Sequence, residues 1–450
     1  MNQKHEKRVL IMGAGGRDFH TFLTYLRDDA DLRVVGFTAT QIPFIADRRF
    51  PAALSGPRYP EGLPIFEEED LLSVIESEKV DEVIFAYSDV SLDYLEEKRA
   101  LVEQTGASFT TFGVDRTMVE STKPVIAVTA VRTGCGKSAV SRAVVSSLKE
   151  MGLRAAAIRH PMPYGNLEKQ AVQRFETFED LVTAECTIEE REEYEPHIMA
   201  GSIVFAGVDY EAILRRAEEE VDVVVWDGGN NDTPFYKPDL WLVIADPLRP
   251  GDELTYFPGR ENFERADVIV VNKVESSTPV GLETVRKNAK QVNPNARVLE
   301  SKMPVILSAD EAAIVKGARV LVVEDGPTVT HGGMQTGAGT IAAQLYGAAE
   351  IVDPRPYLKG LLAETFEKYP SIGKLLPAMG YSDQQIADLE ATIHASDVDV
   401  VIVGTPINLG RLINIDKPHV WARYDVEFAG MHDLSEVIED AFRVKSTIPG

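Results

Sequence analysis

A glycine-rich segment that follows an apolar run has the residue types that hold nucleotide phosphates. Residues 124–130 (PVIAVTA) predict a buried strand, and VRTGCGKS at 131–138 leads into a helical pattern. In such loops backbone N–H groups wrap the phosphates, Lys137 would reach the β- and γ-phosphates, and Ser138 would bind Mg²⁺. The other loop residues expected to bind the nucleotide are Thr133, Gly134, Cys135 and Gly136. The sequence therefore predicts a nucleotide-binding protein.

The loop departs from the usual pattern at its first position, where Val131 replaces glycine. Its TGCGKS form resembles the deviant phosphate loops of the dethiobiotin synthetase, MinD and UreG superclass. The resemblance implies that a positively charged residue early in the loop reaches the phosphates, and Arg132 is expected to do so. It also makes a homodimer possible, because nucleotide sites in this superclass often lie near a subunit interface.

A second acidic ligand for the metal is expected at the end of a neighbouring strand. The run VVVW at 223–226 is followed by Asp227 and a glycine turn, the position at which phosphate-loop proteins place that carboxylate. Asn230 and Asn231 follow on the same loop, where they could position a water molecule or a second substrate. We therefore predict that Ser138 and Asp227 hold Mg²⁺.

A third apolar run ends in the segment NKVE at 272–275. It resembles the base-reading NKxD element of GTPases, and Asn272 and Lys273 are accordingly predicted to bind the nucleotide. Glu275 replaces the aspartate that reads guanine, whereas Asn272 alone could serve an adenine. The expected cofactors are ATP, with GTP possible, and Mg²⁺.

Basic residues follow several predicted strands of an otherwise acidic chain. The carboxyl ends of parallel strands meet at one sheet edge, so these residues should lie near the phosphate loop. Because arginine pairs bidentately with phosphate oxygens, we expect a polyanionic, phosphorylated second substrate. The predicted substrate-binding residues are Arg159, His160, Lys169, Arg174, Asn230, Asn231 and Arg249.

Two other segments have weaker signals. The acidic stretch CTIEEREEYEPH at 186–197 is predicted to be an exposed acidic helix rather than a metal site. The first glycine turn, at Gly13, Gly15 and Gly16, suits a dinucleotide only partly, because no acidic residue follows the next strand to hold a ribose. A nicotinamide cofactor is therefore not expected there, and a phosphorylated small molecule or no ligand remain equally open.

Strand and helix patterns alternate along the whole chain, which predicts an α/β protein with parallel sheets. We expect a Rossmann-like domain at residues 1–120, followed by a P-loop NTPase domain at 121–450. The second domain should carry a C-terminal extension of helices and strands, with a helical insert at about 354–396.

The composition excludes several classes of protein. The chain has 450 residues and a formal net charge of −25, which argues against nucleic-acid binding. Two cysteines provide no disulfide framework, and no apolar run is long enough to span a membrane. A cytoplasmic protein without nucleic-acid or membrane partners is expected.

Several motifs together resemble the cyclic 2,3-diphosphoglycerate synthetase family. They are GAGGRDFHTF, AVRTGCGKS, RHPMPYG, CTIEEREEYEPH, WDGGNND and THGGMQTGAG, and they extend along nearly the whole chain. The resemblance implies ATP-dependent closure of 2,3-diphosphoglycerate into a cyclic pyrophosphate, with release of ADP and phosphate. The catalytic groups expected to neutralise the phosphates are Lys137, Arg132, Arg159 and His160.

Two alternatives belong to other classes. The NK element favours a regulatory or metal-insertion GTPase of the UreG type, although Glu275 and the absence of a Cys/His cluster weaken it. The same phosphate loop would also serve a small-molecule kinase. Stimulation by a phosphorylated metabolite separates the enzymes from the GTPase, and release of both ADP and phosphate separates the synthetase from the kinase.

Overall fold

Three large sheets, each with its own apolar core, organise the chain. The structure is a computed structural model, and it describes residues 6–40, 48–161, 165–229, 231–330, 332–379, 382–430 and 433–446. The sheets consist mainly of parallel strands joined by helices. The predicted α/β class is confirmed.

The first sheet is formed by the N-terminal part of the chain. Its elements are β1 (Lys7–Met12), α1 (Arg17–Thr21) with a π-helical turn (Phe22–Leu26), β2 (Leu32–Ala39), β3 (Arg49–Phe50), α2 (Ala52–Ser55), β4 (Leu63–Glu67), α3 (Leu71–Ser77), β5 (Glu82–Phe85), β6 (Val90–Ser91), α4 (Leu92–Glu103) and β7 (Ser108–Thr111). The strand order is β3-β4-β2-β1-β5-β7, and only β3 and β4 are antiparallel. Apolar clusters cover both faces, as a parallel sheet requires.

The second sheet has nine strands and carries the glycine-rich loop. The elements of this part of the chain are β8 (Val125–Ala130), α5 (Lys137–Glu150), β9 (Ala155–Arg159), β10 (Gln173–Phe175), α6 (Phe178–Thr183), α7 (Ile188–Met199), β11 (Ile203–Ala206), α8 (Tyr210–Glu218), β12 (Val223–Trp226), β13 (Leu240–Ala245), α9 (Asp252–Thr255), β14 (Tyr256–Phe257), α10 (Gly259–Arg265), β15 (Val268–Val271), α11 (Pro279–Val292) and β16 (Arg297–Lys302). Strand β14 pairs with β6 and is not part of the nine-stranded sheet, whose ninth strand comes from the C-terminal part of the chain. Strand β8 lies between β12 and β13, so its carboxyl end opens at the middle of the sheet.

The third sheet is formed by the C-terminal part of the chain. Its elements are β17 (Val305–Ile306), α12 (Ala309–Val315), β18 (Arg319–Asp325), α13 (Gly326–Val329), α14 (Ala338–Leu345), β19 (Glu350–Ile351), α15 (Leu361–Lys368), β20 (Leu376–Ala378), α16 (Asp383–Ala395), β21 (Val400–Gly404), β22 (His419–Trp421), β23 (Arg423–Tyr424), β24 (Glu427–Phe428) and α17 (Asp433–Ser446). Strand β18 is central and pairs with β19, β20 and β21. Strand β24 returns to the second sheet and pairs with β16.

The segment at about 354–396, expected to be helical, contains α15 and α16 separated by strand β20. Three residues are too few for a periodic sequence pattern, and their strand conformation comes from pairing with β18. None of the helices in the described part of the chain has the length and hydrophobicity needed to cross a bilayer.

A buried arginine joins the first sheet to the second. The Arg17 guanidinium donates to the Asp232 carboxylate at 3.0 Å and to the Thr117 hydroxyl at 2.7 Å. It also lies over the Phe235 ring, 4.4 Å from its centroid. Arg17 is 7% exposed and Asp232 is 4% exposed, so neither charge is solvated by bulk water. The ion pair therefore fixes the two units together only while both partners are present.

Replacing Arg17 with methionine should lower the free energy of unfolding by about 3–5 kcal/mol, because it leaves a buried carboxylate without its cation. Urea unfolding followed by tryptophan fluorescence measures this loss. The matched control is Lys237→Met, which removes one partner of the exposed Lys237–Glu120 pair and should leave the midpoint unchanged. Equal midpoints for the Arg17 variant and the wild type would contradict the assignment.

Candidate nucleotide and substrate site

The glycine-rich loop lies between β8 and α5 and has a backbone that only glycine adopts easily. Gly134 and Gly136 have φ values of +83° and +98°. A Cβ at Gly136 would lie 2.2 Å from the Asn272 amide nitrogen. The loop therefore needs glycine at this position for both conformation and space. The loop and Ser138 line a cavity of about 230 Å³.

Asn272 holds the loop from the end of the neighbouring strand β15. Its Nδ2 donates to the Cys135 carbonyl at 2.9 Å, and its Oδ1 accepts from the Ser301 hydroxyl at 2.9 Å. The residue is fully buried. In this arrangement the amide that was predicted to bind the nucleotide is occupied by the phosphate-loop backbone. Glu275, at the position where GTPases have aspartate, accepts from the Met303 amide at 2.8 Å.

Two basic side chains, Lys273 and Arg249, hold two further carbonyls of the loop. Lys273 donates to the Gly134 carbonyl at 2.5 Å and to the Asp246 carboxylate at 2.8 Å. Arg249 donates to the Thr133 carbonyl at 2.8 Å. These donors fix the backbone conformation of the loop, whose N–H groups are the donors that a phosphate would need.

Asp227 is the centre of the charged network behind the loop. Its carboxylate accepts from Lys137 at 2.6 Å, from Arg159 at 3.0 Å and from His197 at 2.9 Å. Burial alone would raise the pKa of Asp227, but Arg159, Lys137 and His197 hold it well below its usual range. Both oxygens accept hydrogen bonds from side chains of the protein, Oδ1 from Lys137 and Oδ2 from Arg159 and His197. Ser138 lines the cavity and fits the role of a metal ligand.

Arg132 also lies at the loop and already has acidic partners. Its guanidinium is 3.1 Å from Asp252 and 3.6 Å from Asp89, and it stacks over Tyr256 at 3.8 Å from the ring centroid. Asp89 belongs to the first unit, and its carboxylate also accepts from the Thr133 amide. The N-terminal unit therefore contributes directly to the start of the phosphate loop.

His160 lies in an aromatic cluster, and it is not among the residues that line the cavity. Its ring packs against Tyr210, Trp226 and Phe235, with centroid distances of 5.4, 5.5 and 5.2 Å. Burial, followed by the nearby Arg159 charge, lowers its pKa well below the usual value, so the ring is neutral. In this position the His160 ring lies beside the loop after β12, where a Cβ on Gly229 would come within 2.8 Å of it.

The other residues predicted to bind the substrate do not all lie at the cavity. Asn231 lines the cavity and donates to the Thr133 hydroxyl at 3.1 Å. Lys169 lies on an exposed turn, and Arg174 pairs with Glu176 and Glu220 on the edge strand β10. Neither lines the cavity. Asn230 lies outside the described residues.

The glycine turn after β1 is occupied by a side chain of its own segment. Asp18 accepts from the Gly15 amide at 2.7 Å and from the Phe19 amide at 2.6 Å. These are the donors that a dinucleotide phosphate would need. Burial raises the Asp18 pKa to about 6, even though the backbone donors favour the carboxylate.

Helix α7 is the functional element that sequence reasoning missed. It was predicted to be an exposed acidic helix, but Glu189, Glu190, Glu192, Glu195 and His197 are all buried. The described residues contain no cluster of His, Cys, Asp or Glu with metal-binding geometry. Carboxyl groups from α7 and from the end of β18 instead line the cavity; these are Glu192, Glu193, Glu324 and Asp325. The capping box of Thr187 and Glu190 marked the helix in the sequence, but no periodic signal revealed its burial.

Comparison with known proteins identifies a relative over nearly the full length. The chain is 55% identical over 440 residues to a protein of Thermococcus kodakarensis described as "Arginine synthetase ArcE", with 98% of each chain covered. No protein-family model matches the chain. The relative's name confirms the predicted class of enzyme, a synthetase.

Solved structures are similar only at a distance. LpxK of Aquifex aeolicus, determined with ATP, is 14% identical with a TM-score of 0.42, over 78% of this chain and 98% of LpxK. Cobyrinic acid a,c-diamide synthase of Mycobacterium smegmatis is 16% identical with a TM-score of 0.18, over 39% of this chain and 70% of that chain. Neither similarity supports an argument about the site.

Binding of ATP should take up a proton above pH 8. Burial, with Arg159 nearby, lowers the Lys137 pKa to about 8 in the protein without nucleotide. A bound triphosphate favours the charged ammonium and raises this pKa, so affinity should fall by up to about tenfold per pH unit above pH 8. Calorimetric titration with ATP in two buffers of different ionisation enthalpy measures the proton uptake.

The Lys137→Arg variant is the control for this measurement. Its guanidinium keeps its charge at all these pH values, so the proton uptake should disappear. Equal uptake by the variant and the wild type would mean that another group titrates.

Proposed function

Because the chain belongs to the family of the Thermococcus kodakarensis arginine synthetase, we propose that it is an ATP-dependent synthetase that forms arginine. The observation that carries the proposal is the composition of the cavity wall. Both the phosphate loop and the carboxyl groups of Glu192, Glu193, Glu324 and Asp325 line this cavity. A γ-phosphate and a cationic guanidinium group need these two kinds of surface.

The chemistry of the product restricts the second substrate. A phosphate loop transfers the γ-phosphoryl group of ATP to an oxygen atom. The arginine precursor with an oxygen on the future guanidino carbon is the ureido amino acid citrulline. Transfer of the phosphoryl group to that oxygen would give ADP and a phosphorylated ureido group. Attack by ammonia on the carbon then breaks the C–O bond, and arginine and phosphate are released.

The residues of this chain have distinct roles in the proposal. Lys137 and Arg132 lie at the loop, where they neutralise the β- and γ-phosphates as charge develops during transfer. Arg159 and Asp227 position Lys137 from behind. Mg²⁺ supplies further neutralisation of the phosphates when it is bound. The Ser138 hydroxyl would hold it, and Asp227 would act through its contact with Lys137.

The charge balance of the cavity favours arginine over a polyanionic substrate. The arginines that were expected to bind such a substrate are already paired: Arg159 with Asp227 and Glu193, and Arg249 with loop carbonyls. A substrate with several phosphates would also face the carboxylates of α7 and β18. The negative charges of such a substrate and of these carboxylates would repel each other strongly in a buried site.

Closure of 2,3-diphosphoglycerate is the second candidate. It is supported by the sequence motifs that resemble the cyclic 2,3-diphosphoglycerate synthetase family and by Arg142 and Lys273 on the cavity wall. ATP would phosphorylate one substrate phosphate, and the other phosphate would displace the new group to close the ring. A GTPase or a kinase remains an outcome of the same assay.

The deciding experiment measures release of ADP and phosphate by the purified protein with ATP and Mg²⁺. Citrulline with ammonium, and separately 2,3-diphosphoglycerate, are supplied as second substrates. We expect equal release of ADP and phosphate, and arginine as the product, only with citrulline and ammonium. A cyclic product detected by phosphorus NMR would support the second candidate. Slow hydrolysis of GTP that neither substrate stimulates would contradict both.

Lys137→Ala should lower the turnover with citrulline and ammonium by at least about 100-fold, because the transferred phosphoryl group loses its cation. The rate of ADP formation at saturating substrate measures this loss. Lys316→Ala is the matched control, since Lys316 is exposed and is not among the residues that line the cavity. Turnover of Lys137→Ala at the normal rate would exclude the loop as the catalytic site.

A further inference from the structure

Two carboxyl groups from different units meet in the wall of the cavity. Glu192 comes from the middle of helix α7, and Asp325 is the last residue of strand β18. Their side chains share a hydrogen bond, and both line the cavity that contains the phosphate loop. Thr328 donates its hydroxyl to Asp325 and fixes its orientation. The pair is therefore a built feature of the site, held from both sides.

One oxygen atom of this carboxyl pair has no hydrogen-bond donor. Glu192 is 5% exposed, and its Oε1 is buried without a hydrogen-bond partner. Among the described residues, neither Glu192 nor Asp325 forms an ion pair with a lysine or arginine. A buried carboxyl oxygen without a donor is costly unless a ligand supplies one.

The surroundings leave this pair negative when it ionises. Glu189 and Glu195 face it from the same helix, Glu324 precedes Asp325, and Tyr424 faces it from strand β23. Arg142 is the nearby cation, and it lies 3.7 Å from Asp425. Glu324 is satisfied by the Gly339 and Thr340 backbone N–H groups and by the Thr340 hydroxyl. The group missing from this arrangement is a cation with several N–H donors.

We propose that the Glu192–Asp325 carboxyl pair binds the guanidinium group of arginine. This inference rests on the proposed function and names the subsite that would give it its substrate. The planar guanidinium presents parallel N–H donors that match two carboxylates, including the Oε1 of Glu192 that lacks a partner. Citrulline has the same shape without the charge, so the pair would distinguish product from substrate by charge.

The protonation state of the Glu192–Asp325 pair provides a second test of the subsite. Burial and the neighbouring carboxylates raise the pKa of Glu192, and burial raises that of Asp325, so the pair keeps a proton to higher pH than solvated carboxyl groups do. A guanidinium in contact with the pair favours the ionised carboxyl groups. Binding of arginine should therefore release about one proton.

The experiment is calorimetric titration of the whole protein with L-arginine at saturating ADP, in two buffers of different ionisation enthalpy. Glu192→Gln and Asp325→Asn should each weaken arginine binding by about 10- to 100-fold and abolish the proton release. Citrulline binding should change by less than about threefold in the same variants. Glu364→Gln, on the exposed face of α15, is the matched control. ADP affinity reports whether each variant is folded.

Failure of the inference and failure of the proposed function give different results. Arginine binding by the wild type that Glu192→Gln leaves unchanged would overturn the subsite and leave the proposed function standing. No arginine binding and no turnover of citrulline by the wild type would overturn both. If neither variant folds, equal affinity of the wild type for arginine and citrulline would still overturn the subsite.

Discussion

The site depends on one buried carboxylate. Asp227, at the end of β12, lies between Lys137 of the phosphate loop, Arg159 at the end of β9 and His197 of helix α7. Removing its charge would leave two buried cations facing each other, at a cost of several kcal/mol by analogy with other broken buried pairs. The loop lysine, the neighbouring strand and the acidic helix therefore keep their positions through a single group.

The three sheets meet at the phosphate loop, and each contributes a different kind of group. The first unit supplies Asp89, which contacts Arg132 and the Thr133 amide. The second supplies the loop and the side chains that hold its carbonyls. The third supplies Glu324 and Asp325 at the end of β18. The cavity that results is lined by both cationic and anionic side chains, and the third unit adds carboxyl groups to those of helix α7. Such a cavity suits a reaction between an anionic nucleotide and a substrate that becomes cationic.

The residues predicted to form the site lie in different environments in the structure. Lys137, Ser138 and Asn231 lie on the cavity wall, as their positions in the sequence suggested. Asn272 and Lys273 lie next to the loop but bind its backbone. His160 shares a strand end with Arg159, yet it points into an aromatic cluster because successive side chains at the end of a strand face opposite ways. Lys169 and Arg174 lie further along the chain than the end of β9, and neither lines the cavity.

The sequence by itself determined the α/β class, the phosphate loop and the acidic residue at the end of β12, because each is a local pattern of apolar runs followed by glycine or aspartate. Only the tertiary structure decided that the glutamates of α7 are buried and that Glu192 meets Asp325, which is 133 positions later in the chain (325 − 192). A run of charged residues looks the same in sequence whether water or protein surrounds it. The packing of the third unit against α7 removes that water, and this packing depends on contacts between residues that are distant in the chain.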